Sequence, residues 1–214
     1  MNTRFPLQLL LGIAAAFSLA ACDAVHDAKA PTPENMAIAL DDYLAQRGDL
    51  CLSMFDWPAD LTEAEAGSGA RRAVQFPVME KLGLLHSTIV EAPKSKENPD
   101  GAVKRFELTE NGRKFYKPHP YTARGGEAHA NDFCVAHLKR EKVVGVQVDA
   151  QDAQHPQVVV SYTYQVEPAP WMQDPEAQRV FPMIARVIQG AGSVQLRQGF
   201  TLEDRGWLPK IGPV

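Results

Sequence analysis

Cysteine, long apolar runs and basic excess are all scarce in this sequence, and each scarcity excludes something. Three cysteines among 214 residues are too few for a disulfide-dense mini-scaffold. No Cys-x-x-Cys spacing marks a thiol-redox motif or a paired zinc site. The longest apolar run, Leu9 to Leu19, falls short of the ~20 residues that cross a bilayer as a helix. Acidic residues outnumber basic ones, 26 to 22, so the chain lacks the basic face that nucleic-acid binding requires. No Gly-x-Ser-x-Gly occurs, and Gly67-Ser68-Gly69 reads as a flexible link rather than a nucleophile elbow. His119, His129 and His137, near Glu127 and Asp132, lack the paired spacing of a zinc site, so neither metal nor cofactor is expected. The carboxylates Asp41-Asp42 and Glu63-x-Glu65 fit solvated faces. What remains is a composition of 45% hydrophobic and 22% charged residues, that of a globular chain long enough for one substantial domain.

The N-terminus carries an address. Arg4, the apolar run and small residues before Cys22, followed at once by Asp23, have the three parts of a secretory signal peptide. Leu19-Ala20-Ala21-Cys22 resembles the lipobox of bacterial lipoproteins. The resemblance implies that residues 1–21 are removed, that the Cys22 thiol takes a diacylglyceryl group, and that its new amine is acylated. One acyl chain holds a membrane only marginally, whereas several anchor stably. The expected location is the bacterial cell envelope, lipid-anchored and facing the periplasm. Asp23 resembles the inner-membrane retention signal of enterobacterial lipoproteins, but the choice between inner and outer membrane stays open.

With Cys22 given to lipid, Cys51 and Cys134 form an even pair in a compartment that permits disulfides. Both sit in strand-like contexts, 83 positions apart. In the chain-entropy model, closing a loop of that length is worth roughly 4–5 kcal/mol.

Along the chain, residues 22–33 read as a tether without apolar period. Thr32 and Pro33 then set an N-cap and first helical position. Met36, Leu40, Tyr43 and Leu44 give an apolar stripe that ends at Gly48. A strand is expected over Asp49–Met54 and a helix over about Ala70–Leu82, with Pro77 marking a kink or start. Strands are expected over Leu84–Glu91 and Val103–Leu108 around an exposed tip, Pro93–Gly101. A short helix, Glu110–Tyr116, follows, and Tyr121–Asp132 reads as loop. Phe133–Leu138 reads as a strand. Val144, Val146 and Val148 alternate inward, as do Val158, Val160, Tyr162, Tyr164 and Val166, and Val194, Leu196 and Phe200. A helix over 175–189, with Pro182 threatening a kink, is expected to lie across this sheet. Trp207 and Leu208 then finish it.

Met79–Leu85, a charged hairpin and Phe106–Phe115, "FELTENGRKF", resemble the helix, wing and following helix of winged-helix modules of the MarR type. The resemblance implies a helix packed on a two-stranded wing. It does not carry DNA binding, because Lys94, Lys96, Lys104 and Arg105 are offset by Glu91, Glu97, Asp100 and Glu107. The fold expected is α+β, a single domain over 34–214. It comprises a helical, winged-helix-like half (34–120) and an antiparallel-sheet half (121–214). Trp57, Trp171 and Arg197 are the candidate partner surface. The expected role is a non-catalytic binding or accessory module, with a protein partner in the envelope and no nucleic acid. A periplasmic hydrolase whose site forms only in the fold, and an immunity or inhibitor lipoprotein, stay open as alternatives.

Overall fold

The computed structural model describes residues 27–96, 98–123, 125–149 and 156–210. The signal peptide, Cys22 and the first tether residues lie outside them. No helix among the described residues is long and apolar enough to cross a membrane.

The architecture is mixed α+β, with six α-helices among the described residues and two antiparallel sheets. Helix α1 (Pro33–Arg47) starts where the sequence places it. The Thr32 side chain accepts from the Asn35 N–H, Pro33 takes the first turn, and Gly48 closes the end. After it come strands β1 (Asp49–Cys51) and β2 (Ala59–Leu61), then helices α2 (Glu63–Gly67) and α3 (Arg71–Lys81). A hairpin of β3 (Leu85–Glu91) and β4 (Ala102–Leu108) leads through α4 (Glu110–Arg113) into β5 (Tyr116–Thr122). Two long strands follow, β6 (Ala128–Asp149) and β7 (Gln157–Pro168), then a 3-10 turn at Pro170–Gln173. Helices α5 (Pro175–Val180) and α6 (Pro182–Gln189) precede the last strands, β8 (Gln195–Glu203) and β9 (Gly206–Pro209).

The larger sheet runs β1-β6-β7-β8-β9, with β5 also on β6, and it curls along the length of β6; the smaller runs β2-β4-β3. Two apolar cores result. One joins α1, through Met36, Leu40 and Leu44, to Val158, Val160, Tyr162, Tyr164 and Phe200 of the large sheet. The other joins α3 and the small sheet, through Phe76, Met79 and Phe106, to Phe133, Met172, Ala177 and Phe181. Each core therefore draws on both ends of the chain.

Several expectations are corrected. The helix that covers most of the large sheet is α1, while α6 of the 175–189 segment touches it at Val187, whose carbonyl accepts from the Tyr164 hydroxyl. The 175–189 segment is split by Pro182, whose ring nitrogen has no hydrogen to continue the ladder, and Phe181 (φ −120°, ψ 55°) forms the joint. The loop expected at 121–132 is a hairpin, because β5 pairs with β6 from Tyr116–Phe133 to Thr122–Ala128. The helix expected to reach Tyr116 stops at Arg113. Two bulges in β6, between Arg140 and Lys142 and between Val143 and Gly145, shift its alternation. Val143 and Val146 consequently pack inward, while Val144 and Val148 are 43% and 50% exposed. Val194 precedes β8 and is also exposed.

Candidate functional site

The chain between β1 and β2, Leu52–Pro58, is held from three sides. The Asp132 carboxylate, itself buried, accepts from the backbone N–H of Ser53 (3.1 Å) and of Met54 (2.8 Å). Arg71 at the start of α3 donates from Nη2 to the Leu52 carbonyl at 3.1 Å. The Tyr116 hydroxyl donates to the Phe55 carbonyl. Ser53 stands at φ 56°, in the left-handed region, and the Trp57–Pro58 bond is cis. A side chain at such a φ needs outside support, and these three anchors supply it.

Two cavities meet along this segment. The smaller, about 140 Å³, is lined by Ser53, Asp56, Trp57, Arg71, Arg72 and Phe76. The larger, about 350 Å³, is lined by Cys51, Arg71, Gln75, Phe181, Met183 and Ile184. Arg71, at the start of α3, lines both; Gln75, one turn on, lines the larger, more apolar cavity, while Arg72 and Phe76, also one turn apart, line the smaller one. The Arg72 guanidinium lies 5.3 Å from the Phe76 ring centroid, within cation–π range. Neither guanidinium has a carboxylate ion-pair partner among the described residues. Gln75 donates from Nε2 to the Val180 carbonyl at 3.0 Å, and its Oε1 has no partner among the described residues.

At the rim, His129 stacks on Phe55 with centroids 4.2 Å apart. Its Nδ1 faces Asp56 at 3.6 Å and its Nε2 faces Glu127 at 3.8 Å. These three side chains form one of two clusters with metal-ligand chemistry among the described residues. The other is Cys51, Cys134 and His119, again with donor atoms within 4.8 Å of one another. The Cys51 and Cys134 sulfurs stand at bonding distance, 2.02 Å, across the β1–β6 pair.

Away from the cavities, Asp49 accepts from Lys117 Nζ at 2.8 Å and lies 2.9 Å from His137 Nδ1. Burial pushes the Asp49 carboxyl up, but the hydrogen bonds from Lys117 and His137 outweigh it and hold the group below its ordinary value. In the core under α1, burial together with neighbouring Tyr43 and Tyr164 pushes the Tyr162 hydroxyl up to about 12.

The residues singled out from the sequence part company. Trp57 lines the smaller cavity and packs on Phe76, centroids 5.4 Å apart. Trp171 packs among Phe115, Phe133 and Phe181 in the same core. Arg197 is exposed on β8, paired opposite Ser161 of β7 in the large sheet, and lines neither cavity. Cys22 lies outside the described residues. The Arg71–Gln75 stripe and the approach of His119 to the cysteines escape sequence reading. The first had a signal in its i, i+4 spacing. The second had none, because it depends on how β5 pairs. Comparison with protein-family models, with curated proteins and with solved structures gives no match.

Proposed function

We propose that this chain is a lipid-anchored protein of the bacterial cell envelope, held by Cys22 and facing the periplasm. Its role is to recognise a protein partner rather than to catalyse a reaction. The recognition surface is the double cavity along Leu52–Pro58. The observation that carries this reading is the pair Arg71 and Arg72. Both are exposed, neither has a carboxylate ion-pair partner among the described residues, and they stand side by side along the cavities, Arg71 lining both and Arg72 the smaller one. Such a surface suits a segment that presents an acidic group beside an apolar side chain. The run β2–α2–α3–β3–β4 is read as winged-helix-like, since α3 leads directly into the β3–β4 hairpin. In this chain that unit is a scaffold for the cavity. Two of its four hairpin cations are paired, Lys104 with Glu80 and Arg105 with Asp60, which leaves fewer to meet a phosphate backbone.

The test is site-specific photo-crosslinking in intact cells. A crosslinker at Met183, on the cavity rim, is expected to capture one partner, and Arg72→Glu is expected to abolish the capture. Equal capture from position 197, on β8 and outside the lining of both cavities, would overturn the cavity as the recognition surface. Cys22→Ala is expected to move the protein from the membrane to the soluble fraction; retention there would overturn the anchor.

A further inference from the structure

Of the two clusters with metal-ligand chemistry among the described residues, one arranges its groups as an ion pair rather than a chelate. Asp56 and Glu127 approach opposite nitrogens of His129, and their side chains are 79% and 72% exposed. The other differs in donors and in setting. Cys134 is buried in β6, Cys51 is its direct cross-strand partner in β1, and His119 comes from β5 on the other edge of β6. The sequence explains the approach of His119. Pro118 and Pro120 on either side of it have no N–H to give to the ladder. The β5–β6 register accordingly slips between Pro118 and Tyr121. This bulge brings the imidazole to the two sulfurs, with all three donor atoms within 4.8 Å of one another. His119 is only half-buried and has no hydrogen-bond or ion-pair partner among the described residues.

We propose that Cys51, Cys134 and His119 form a redox-gated site for a divalent cation of the zinc class. Oxidised, the cysteines are joined and offer no thiolate. A dithiol reductant delivers two electrons and two protons, leaves as its own disulfide, and frees both thiols. Binding of the cation then releases those two protons and forms two metal–sulfur bonds and one metal–nitrogen bond. Two thiolates and an imidazole are the donors that zinc and cobalt accept, and magnesium and calcium do not. Two Zn–S bonds of ~2.3 Å at a tetrahedral angle place their sulfurs ~3.8 Å apart, close to thiol contact distance on facing strands. Three protein donors leave a four-coordinate ion one open position. Cys51 lines the larger cavity and Cys134 a second opening between Lys117 and Glu167, so that position has access to solvent.

The experiment uses the full chain carrying Cys22→Ala, which leaves Cys51 and Cys134 as its two cysteines. Co²⁺ is titrated into the oxidised and the phosphine-reduced protein, and its absorption is followed. The reduced chain is expected to take one equivalent with thiolate-to-cobalt charge-transfer bands, and the oxidised chain none. His119→Ala is expected to weaken binding at least tenfold, and Cys134→Ser to abolish the charge-transfer bands. No bands on the reduced chain, or the same affinity in His119→Ala, would overturn the proposal. Thermal unfolding of the reduced chain gives a second readout. Zn²⁺ is expected to raise or restore its cooperative transition in the parent and not in His119→Ala. A reduced chain that stays unfolded with Zn²⁺ present would overturn it equally.

Discussion

The Asp132 carboxylate, 3% exposed, accepts from the backbone N–H of Ser53, of Met54 and of Phe133. Replacing it by alanine leaves two buried N–H groups and the part-buried one of Ser53 without that acceptor, a fully buried one costing about 1–3 kcal/mol. Asp132→Ala is therefore expected to cost about 3 kcal/mol or more in urea unfolding, and Asp132→Asn, which keeps one acceptor oxygen, distinctly less. Equal losses would mean that the carboxylate does not hold the turn. Asp49 gives a pH-dependent counterpart. Its folded pKa lies below the ordinary 3.8, so its stabilisation is fully present above that value and is lost as pH falls through the folded pKa. Asp49→Asn is expected to destabilise by about 1–3 kcal/mol at neutral pH. The gap to the parent should hold down to pH about 4 and close below it. A gap that persists at lower pH would show that the charge is not what stabilises. Neither role is legible in sequence. Asp132 serves N–H groups 78 and 79 positions away, and nothing local to Asp49 reveals Lys117 or His137.

Elements differ in how far local chemistry decides them. Helix α1 follows from its cap, its proline and its stripe, and the β3–β4 hairpin follows from two apolar runs around a polar tip. Strand β5 does not, since Pro118 and Pro120 are poor ladder donors and only β6 beside it gives the segment a partner. The seat of α4 depends on close approach. A Cβ at Gly112 would lie 2.0 Å from the Leu84 carbonyl oxygen, whereas one at Gly67 meets nothing within 4 Å. Gly112→Ala is expected to destabilise by about 1–3 kcal/mol through overpacking. Gly67→Ala, in α2, is expected to be neutral or to stabilise by up to about 1 kcal/mol. Thermal melts of the pair check both signs, and a neutral Gly112→Ala would contradict the packing of α4 against the Leu84 carbonyl.

At the scale of the molecule, the two cores are cross-laced. Helix α1 is the first described element but lies on the sheet made mostly by the second half of the chain, while the 170–181 segment returns to the core of α3 and the small sheet. Unfolding either core strips apolar cover contributed from both ends of the chain. Far-ultraviolet dichroism and tryptophan fluorescence are expected to report one coincident transition, since Trp57 and Trp171 lie on one core and Trp207 on the other. The Cys51→Ser/Cys134→Ser double variant is expected to lower the stability of the oxidised protein by roughly 4–5 kcal/mol, on the chain-entropy reckoning. Two separated transitions would mean that the cores are independent.

By itself the sequence determined what depends on neighbouring residues: the caps of α1, the helix start at Pro175, the alternation of β7, and the pairing partners left once one cysteine is set aside. These rest on backbone sterics, hydrogen bonds within a few residues, and periodicity. The tertiary structure alone decided which helix covers which sheet, where the β6 bulges reverse the valine pattern, and which side chains line the cavities. It also brought His119 to Cys51 and Cys134. Those outcomes are settled by contacts between distant segments, where a shift of one residue in register turns a side chain from one face to the other. No window of sequence contains that choice.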